Sequence, residues 1–87
     1  MEMNSKTHRF ETEENGHISF ADYNLQGDVL TLSHVEAPPA LRGTGAAGRL
    51  MEHICHKAQA EGWKIRPTCG YARAWMTKHE TYHTLIV

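Results

Sequence analysis

Three glycines between two predicted secondary-structure elements are the residues of this sequence best suited to bind a ligand. Gly43, Gly45 and Gly48 lie where an apolar strand gives way to a helix. The first amides of a helix have no intrahelical partner and lie at the positive end of the helix dipole. Because glycine lets the backbone approach a bulky anion closely, this pattern favours a phosphate ligand. A tight turn without a ligand is the alternative interpretation.

The spacing Gly43-x-Gly45-x-x-Gly48 matches the glycine pattern of dinucleotide-binding folds, but its surroundings do not. Such folds carry an acidic residue about 20 positions further on, where this chain has Lys64 and Arg66. The chain also has no Gly-Lys-Ser/Thr sequence, which excludes a P-loop. The glycines therefore indicate a phosphate ligand of another kind.

Cys69 is the main candidate nucleophile. It stands between a predicted strand and a predicted helix, and the N-terminus of a helix favours the reactive thiolate form of cysteine. Space-filling in the core is the alternative role for Cys69, and it is the role that we expect for Cys55 on the first helix. His34, near the end of a strand, is a candidate general base because imidazole exchanges protons near neutral pH; an ordinary surface residue of the strand is the alternative.

The seven histidines raise the question of a metal site. His53 and His56 are three residues apart in the sequence, and His79 and His83 are four apart. Neither pair belongs to a His-Glu-x-x-His sequence, and no Cys-x-x-Cys pair is present. We expect no metal and interpret these histidines as surface residues.

Composition limits the function further. The 87 residues are enough for one domain, and the net charge of −1 argues against nucleic acid, which requires a basic surface. No apolar run approaches the roughly 20 residues that span a bilayer, and the first residues lack the apolar stretch of a signal peptide. We therefore expect a cytoplasmic monomer without membrane contact, in which residues 1–6 are flexible and residues 7–87 form the domain.

Residue periodicity predicts a meander of three antiparallel strands, followed by helices in the second half of the chain. Asn15-Gly16 favours a hairpin turn, Pro38-Pro39 ends the third strand because proline donates no ladder hydrogen bond, and Gly62 ends the first helix. The strand after that helix is expected to run parallel to the third strand through a right-handed crossover. The predicted strands are residues 7–12, 17–25, 29–35 and 63–66, and the predicted helices are residues 43–61 and 70–79.

The same periodicities predict the core. Phe10 in the first strand, and Ile18 and Phe20 in the second, are the apolar positions that alternate with polar ones. In the first helix, apolar residues recur at steps of three and four, which leaves Arg49 on the polar side. The tail, residues 80–87, ends in three apolar residues and is expected to pack on the sheet.

The sequence Val35-x-x-Pro38-x-x-Arg42-Gly43-x-Gly45-x-Ala47-x-x-Leu50 resembles the acetyl-CoA-binding motif of the GCN5-related N-acetyltransferases. Their pattern, Gln/Arg-x-x-Gly-x-Gly/Ala, corresponds here to the six residues that begin with Arg42. The resemblance implies an α/β (α+β) fold in which backbone amides cradle the pyrophosphate of CoA and pantetheine lies along the end of the third strand. The residues it implies for binding are Val35, Glu36, Ala37, Arg42, Gly43, Thr44, Gly45, Ala46, Ala47 and Gly48.

The second half of the chain resembles the compact, single-domain branch of that superfamily. Pro67-Thr68-Cys69-x-Tyr71 matches a Pro-x-Cys-x-Tyr segment, and His79-Glu80-x-Tyr82 is similar to a His-Pro-Glu-Tyr-like tail, with Glu80 where proline is usual. The resemblance covers roughly residues 8–84. It implies transfer of an acetyl group from acetyl-CoA to a small-molecule or protein amine, directly or through an acetyl-Cys69 intermediate. A non-catalytic module that binds CoA or acyl-CoA is the alternative.

Full-size members of the superfamily differ from this sequence in two respects. They have a helical segment between the first two strands and a final pair of strands, which usually wall the acceptor pocket. They also often place a tyrosine, the acid for the CoA thiolate, in the helix after the parallel strand, where this chain has Trp75 and Met76. Tyr71 lies nearby and is a candidate acid, with core packing as the alternative for both Tyr71 and Trp75.

Overall fold

The structure, a computed structural model that describes residues 1–87, is one five-stranded sheet with two α-helices packed on one face. The strands follow one another across the sheet in chain order; the first four are antiparallel, and the fifth runs parallel to the fourth. The meander and the parallel crossover strand are thereby confirmed, with one strand more than predicted. The strands are β1 (Glu2–Asn4), β2 (Arg9–Glu14), β3 (His17–Gln26), β4 (Val29–Glu36) and β5 (Lys64–Pro67). The helices are α1 (Ala46–Glu61) and α2 (Gly70–Lys78), with 3₁₀ helices at Pro39–Leu41 and Glu80–Leu85.

The extra strand lies at the N-terminus, where the sequence predicted a flexible segment. Glu2–Asn4 pairs with β2, and Met3 packs against the core opposite Phe10. The side chain of Asn4 closes the following turn by accepting hydrogen bonds from the amides of Lys6 (3.0 Å) and Thr7 (3.2 Å). Residues 2–4 therefore form a strand within the segment predicted to be flexible, because one apolar residue and one turn-forming asparagine are enough to hold a three-residue edge strand.

The hairpin between β2 and β3 turns at Asn15-Gly16, as predicted. Asn15 has φ 52° and Gly16 has φ 78°, the left-handed conformation that the two central residues of a type I′ turn require. β2 continues to Glu14, two residues beyond its predicted end. This extension places Glu14 at the tip of the hairpin, where it has a role in the site described below.

The side chains of β3 face opposite to the prediction near its start. Ser19, Ala21 and Tyr23 are buried against the helices, whereas Ile18 is 48% exposed and Phe20 is half-buried on the other face. Phe10, which is fully buried, lies directly opposite Ala21. Since neighbouring residues of a strand point to opposite faces, burying Phe10 and Ala21 together turns Ile18 and Phe20 away from the helices.

α1 begins three residues later than predicted and ends where predicted. Gly43 and Gly45 have φ 82° and 86°, which a helix does not accommodate, so the first helical residue is Ala46. Gly62 ends the helix in the left-handed conformation, with φ 76°. The predicted apolar stripe is confirmed except at Ala47, which is only half-buried, and Cys55 extends it. Its buried residues are Ala46, Leu50, Met51, Ile54, Cys55 and Ala58.

α2 and the tail complete the covered face of the sheet. α2 matches the predicted helix to within one residue, and Leu85 in the following 3₁₀ helix is buried in the core. Ile86 forms a parallel bridge with Ile65, so the tail packs on the sheet as predicted. No helix of the protein is both long enough and apolar enough to cross a membrane.

Candidate functional site

One pocket of about 430 Å³ lies at the end of β4, beside the first turn of α1. Nine of the ten residues predicted to bind the cofactor line it, the exception being Thr44. Two further residues, Leu41 and Tyr71, complete its wall. The nine are Val35, Glu36, Ala37, Arg42, Gly43, Gly45, Ala46, Ala47 and Gly48.

The pocket exists because β4 and β5 separate. Their parallel pairing ends at Leu32 and Pro67. The carbonyl oxygen of Leu32 accepts hydrogen bonds from the amides of Thr68 (3.0 Å) and Cys69 (3.1 Å), and from the hydroxyl of Thr68 (3.2 Å). These bonds turn the chain into α2, so the last part of β4 has no neighbouring strand on this side.

A β-bulge in β4 keeps the exposed strand end attached to the core. Asp22 pairs with His34 while the next residue, Tyr23, pairs with Leu32, so Ser33 is an extra residue without a partner. The extra residue restores the inward direction of Val35, which is 8% exposed although it lies an odd number of positions from Leu32. Val35 thereby lines the pocket and belongs to the core at once.

Five of the residues that line the pocket have backbone amides without partners. The N–H groups of Gly43, Gly45, Ala46, Ala47 and Gly48 make no hydrogen bond within the protein. The left-handed glycines set the direction of the loop, and the hydroxyl of Thr44 fixes it internally by donating to the carbonyl oxygen of Leu41 at 2.6 Å. Five such amides at a helix N-terminus suit a phosphate or pyrophosphate group.

Arg49 connects this loop to the β2–β3 hairpin, a role that the sequence did not indicate. Its Nη1 donates to the carbonyl oxygen of Thr44 at 2.8 Å. Its Nη2 and Nε donate to the two carboxylate oxygens of Glu14 at 2.7 and 3.0 Å. The hydrogen bond from Arg49 lowers the pKa of the Glu14 carboxyl, and the same bond raises the pKa of Arg49. Helix periodicity assigned Arg49 to the polar side but carried no information about a partner 35 residues away.

Gly48 differs from the other two glycines of the motif. Its φ is not positive, and a Cβ added to it would lie 3.2 Å from the indole nitrogen of Trp75 and 3.7 Å from the phenol oxygen of Tyr71. The absence of a side chain at Gly48 therefore lets α2 approach α1 closely. This packing requirement accounts for the glycine and brings Tyr71 to the pocket.

Tyr71 is a pocket residue rather than a core residue. It is 43% exposed, and partial burial raises its pKa above the ordinary value of 10.0. The phenol therefore stays protonated at neutral pH. Trp75, one turn further along α2, is half-buried and stacks on His79 with 3.7 Å between ring centres. Core packing, the alternative role weighed for both residues, applies to Trp75 and not to Tyr71.

The two other candidate catalytic residues lie outside the pocket lining. Cys69 is the residue immediately before α2. It is half-buried and packs against the core. His34 is exposed on the face of the sheet away from the helices, with its Nε2 3.2 Å from Oε1 of Glu36. Glu36 itself lines the pocket, so its contact with His34 places that histidine at the edge of the site.

Cys55 is the buried cysteine of the pair. Its side chain is inaccessible in the core under α1. Burial, with a smaller contribution from the nearby Glu52 carboxylate, raises the pKa of the Cys55 thiol to about 12. Packing is therefore its role, as the sequence predicted. No group of three or more His, Cys, Asp or Glu side chains converges to hold a metal ion.

A protein-family model described as GCN5-related N-acetyl-transferase matches residues 9–85, which is most of the chain. The chain belongs to the GCN5-related N-acetyltransferase family. Its pocket lies where the family's motif predicts the CoA-binding turn, at Arg42 to Gly48. Comparison with curated proteins gave no match.

This domain differs from full-size members of the family in the face of its sheet that lies away from the helices. A two-residue turn, Asn15-Gly16, joins β2 to β3 without an intervening helix. Both α-helices lie on the same face of the sheet and contact each other. The opposite face, hereafter the open face, carries Ile18, Phe20, His34 and Glu36 and has no helix packed on it.

Proposed function

We propose that this protein is an acetyl-CoA-dependent N-acetyltransferase. The observation that carries the proposal is the pocket itself, in which five unpartnered amides at the start of α1 adjoin a strand end without a neighbour. The amides suit the pyrophosphate of CoA. The free edge of β4 at Val35 to Ala37 offers backbone groups to the amide-bearing pantetheine arm, much as a neighbouring strand would. Membership of the family supports the same ligand.

Acetyl transfer requires a proton donor for the departing CoA sulfur. As the amine nitrogen bonds to the carbonyl carbon, the C–S bond breaks and the sulfur takes up a proton. Tyr71 suits this role because it lines the pocket and its raised pKa keeps the phenol protonated. The amine must lose a proton in the same reaction, and His34, held by Glu36 at the edge of the site, is the candidate base.

The acetyl group can reach the amine by two routes. In the direct route, the amine attacks the thioester, which needs only the groups named above. In the covalent route, the Cys69 sulfur first takes the acetyl group, releasing CoA, and the amine then attacks the acetyl-cysteine. The position of Cys69 outside the pocket lining supports the direct route, although the residue is only two positions from Tyr71.

A non-catalytic CoA-binding module is the second candidate, and the uncovered face of the sheet favours it. The two functions differ in one assay, in which acetyl-CoA is mixed with the protein and a panel of amines while free thiol and intact masses are followed. Amine-dependent thiol release together with acetylated amine supports the transferase. Tight CoA binding without thiol release supports the binding module, and absence of CoA binding contradicts both.

A further inference from the structure

The open face carries a line of side chains that runs across the sheet to the pocket. The pairing registers place Glu2 opposite Glu11, Glu11 opposite Phe20, and Phe20 opposite Glu36. Directly paired residues share a face of the sheet, and Phe20 is half-buried on the open face. From β1 to β4 the line spans three strand spacings, about 14 Å. Its last member, Glu36, also lines the pocket.

The carboxylates at the β1–β2 end of this line have no counter-ions. On the open face, Asp22 is paired with Arg9 at 2.7 Å and Glu36 with His34 at 3.2 Å. Glu2, Glu11 and Glu13, by contrast, form no salt bridge. Like charges directly opposite each other on a sheet destabilise it, and the fold itself does not compensate for Glu2 beside Glu11. An uncompensated negative surface of this kind is complementary to a cationic partner.

A groove marks the acidic end of the line. Its volume is about 540 Å³; it lies at the edge of β2 and reaches α1, and its wall consists of Met1, Glu2, Glu11, Thr12, Glu13, Glu14, Arg49 and His53. Arg49 is already paired with Glu14, which leaves the other three glutamates without a counter-ion. It is wide enough for a long basic side chain, whose methylene stem packs along the wall while the charged head meets the carboxylates. The basic residues of β5, Lys64 and Arg66, lie at the opposite edge of the sheet. The nearer Arg9 is paired with Asp22, so none of the three compensates the unpaired glutamates.

Apolar side chains accompany the charges on the open face. Ile18 is 48% exposed beside Glu13, and the guanidinium of Arg9 lies 3.9 Å from the centre of the Phe20 ring. Ile18 lies off the line from Glu2 to Glu36, so the surface extends in two dimensions. A surface that extends in two dimensions and combines apolar with charged side chains is typical of contact with a polypeptide, whereas small molecules require a concave site that encloses them.

We propose that the amine acceptor is a basic polypeptide segment docked on the open face, with a lysine at the Glu36 end and a second basic residue in the acidic groove. The inference rests on the proposed acetyl transfer and names its substrate class. A separation of about 14 Å corresponds to about four residues of extended chain. The lysine enters the pocket past Glu36, where β4 has no neighbouring strand.

Synthetic peptides with one lysine and a blocked N-terminus test this assignment. One peptide carries arginine four residues from the lysine, a second carries glutamate at that position, and a linear polyamine serves as a small-molecule arm. We expect kcat/KM for thiol release to be about five- to tenfold higher for the arginine peptide than for the glutamate peptide. The difference is expected to shrink as salt is added, because exposed charges are screened.

The double variant Glu11→Gln, Glu13→Gln removes two of the unpaired charges while nearly preserving shape. We expect it to abolish the preference for the arginine peptide. Glu61→Gln, an exposed residue at the far end of α1, is the matched control and is expected to leave the preference unchanged. Equal rates for the two peptides, a preference that survives the double variant, or a polyamine preferred over every peptide would each overturn the inference.

Binding measurements keep this inference separate from the proposed function. If the protein transfers acetyl groups to no amine, the proposed function fails. Fluorescence anisotropy of the labelled peptides, measured with the CoA-loaded protein, then tests whether the open face binds the basic peptide. Arginine-peptide binding that the double variant weakens, and that the Glu61→Gln control retains, supports the docking surface. Equal binding of both peptides overturns it.

Discussion

Arg49 in the first turn of α1 holds Glu14 at the tip of the β2–β3 hairpin through two parallel hydrogen bonds, of 2.7 and 3.0 Å. The same guanidinium donates to the carbonyl oxygen of Thr44 at 2.8 Å. One side chain therefore links the loop that bears the unpartnered amides to the hairpin, which is distant in sequence. Because the planar guanidinium matches a carboxylate with two bonds, this contact fixes the orientation of the loop.

Replacing Arg49 separates its geometric role from its charge. We expect Arg49→Ala to weaken CoA binding about tenfold, since a loosened loop must be ordered when the ligand binds. Arg49→Lys keeps the positive charge but not the paired bonds, so we expect it to resemble the alanine variant. Calorimetric titration measures both, with Arg73→Ala on the exposed side of α2 as control. A lysine variant with native affinity would contradict the geometric role.

The ion pair between Arg49 and Glu14 also predicts that the free energy of unfolding depends on pH. Arg49 lowers the pKa of Glu14 from 4.5, so the contact stabilises the fold above the ordinary pKa of glutamate. That contribution is lost as pH falls through the lowered value in the folded state. Glu14→Gln should therefore be less stable than the native protein at neutral pH, and the difference should vanish in strong acid. Urea unfolding across this range measures the difference, and a difference that persists in acid contradicts the prediction.

Local signals in the sequence explain why the loop and its helix were largely predictable. Pro38-Pro39 stops a strand, Gly62 stops a helix, and Asn15-Gly16 makes a two-residue turn, each through backbone preferences of the residues themselves. Apolar periodicity predicts too early a start for α1, because the periodicity extends into the loop. The φ values of Gly43 and Gly45 decide that boundary, and periodicity does not report them.

Features that depend on tertiary contacts were not predictable in the same way. Arg49 and Glu14 are 35 residues apart, and neither residue shows a local sign of the other. The orientation of β3 depends on Phe10, because the alternation of apolar residues changes phase within the strand. The spacing of the glycines assigns Gly48 to the phosphate motif. Its packing against Trp75 depends on how α2 crosses α1, which the spacing does not report.

Gly45 is the glycine of the loop most sensitive to substitution. It has φ 86°, and a Cβ on it would lie 3.1 Å from Nη1 of Arg49. Gly45→Val should therefore strain the backbone and displace the arginine, weakening CoA binding by at least about 2 kcal/mol, roughly 30-fold. Gly27→Val, at a distant turn with φ 60° and open space around it, controls for backbone strain alone. Native CoA affinity in Gly45→Val would remove this loop from the binding site.

Tyr71 is expected to act on the chemical step and not on binding. Tyr71→Phe removes the proton donor while keeping the ring, so we expect kcat to fall on the order of 100-fold with little change in CoA affinity. In the native protein, transfer should decline at alkaline pH only above 10.0, since burial raises the pKa of Tyr71. The variant should lack that decline. Equal kcat in the two proteins would exclude Tyr71 as the acid.

The two cysteines should differ in their reaction with an alkylating reagent. Cys55 is fully buried, and burial raises the pKa of its thiol to about 12, so it offers almost no thiolate at neutral pH. Cys69 is half-buried at the start of α2, two residues from the pocket residue Tyr71. We therefore expect Cys69 to be alkylated much faster than Cys55, and CoA to slow its reaction. Peptide mass mapping after timed alkylation, with and without CoA, measures both rates.

Substitution of Cys69 then separates proximity from covalent participation. If the sulfur only borders the thioester, Cys69→Ala keeps acetyl transfer at nearly the native rate and native CoA affinity. If the acetyl group passes through the sulfur, Cys69→Ala abolishes transfer while CoA still binds, and the native protein gains the mass of one acetyl group when no amine is present. We expect the first result, because Cys69 is not part of the pocket lining. Alkylation rates that are equal for the two cysteines and unaffected by CoA would contradict the placement of Cys69 beside the site.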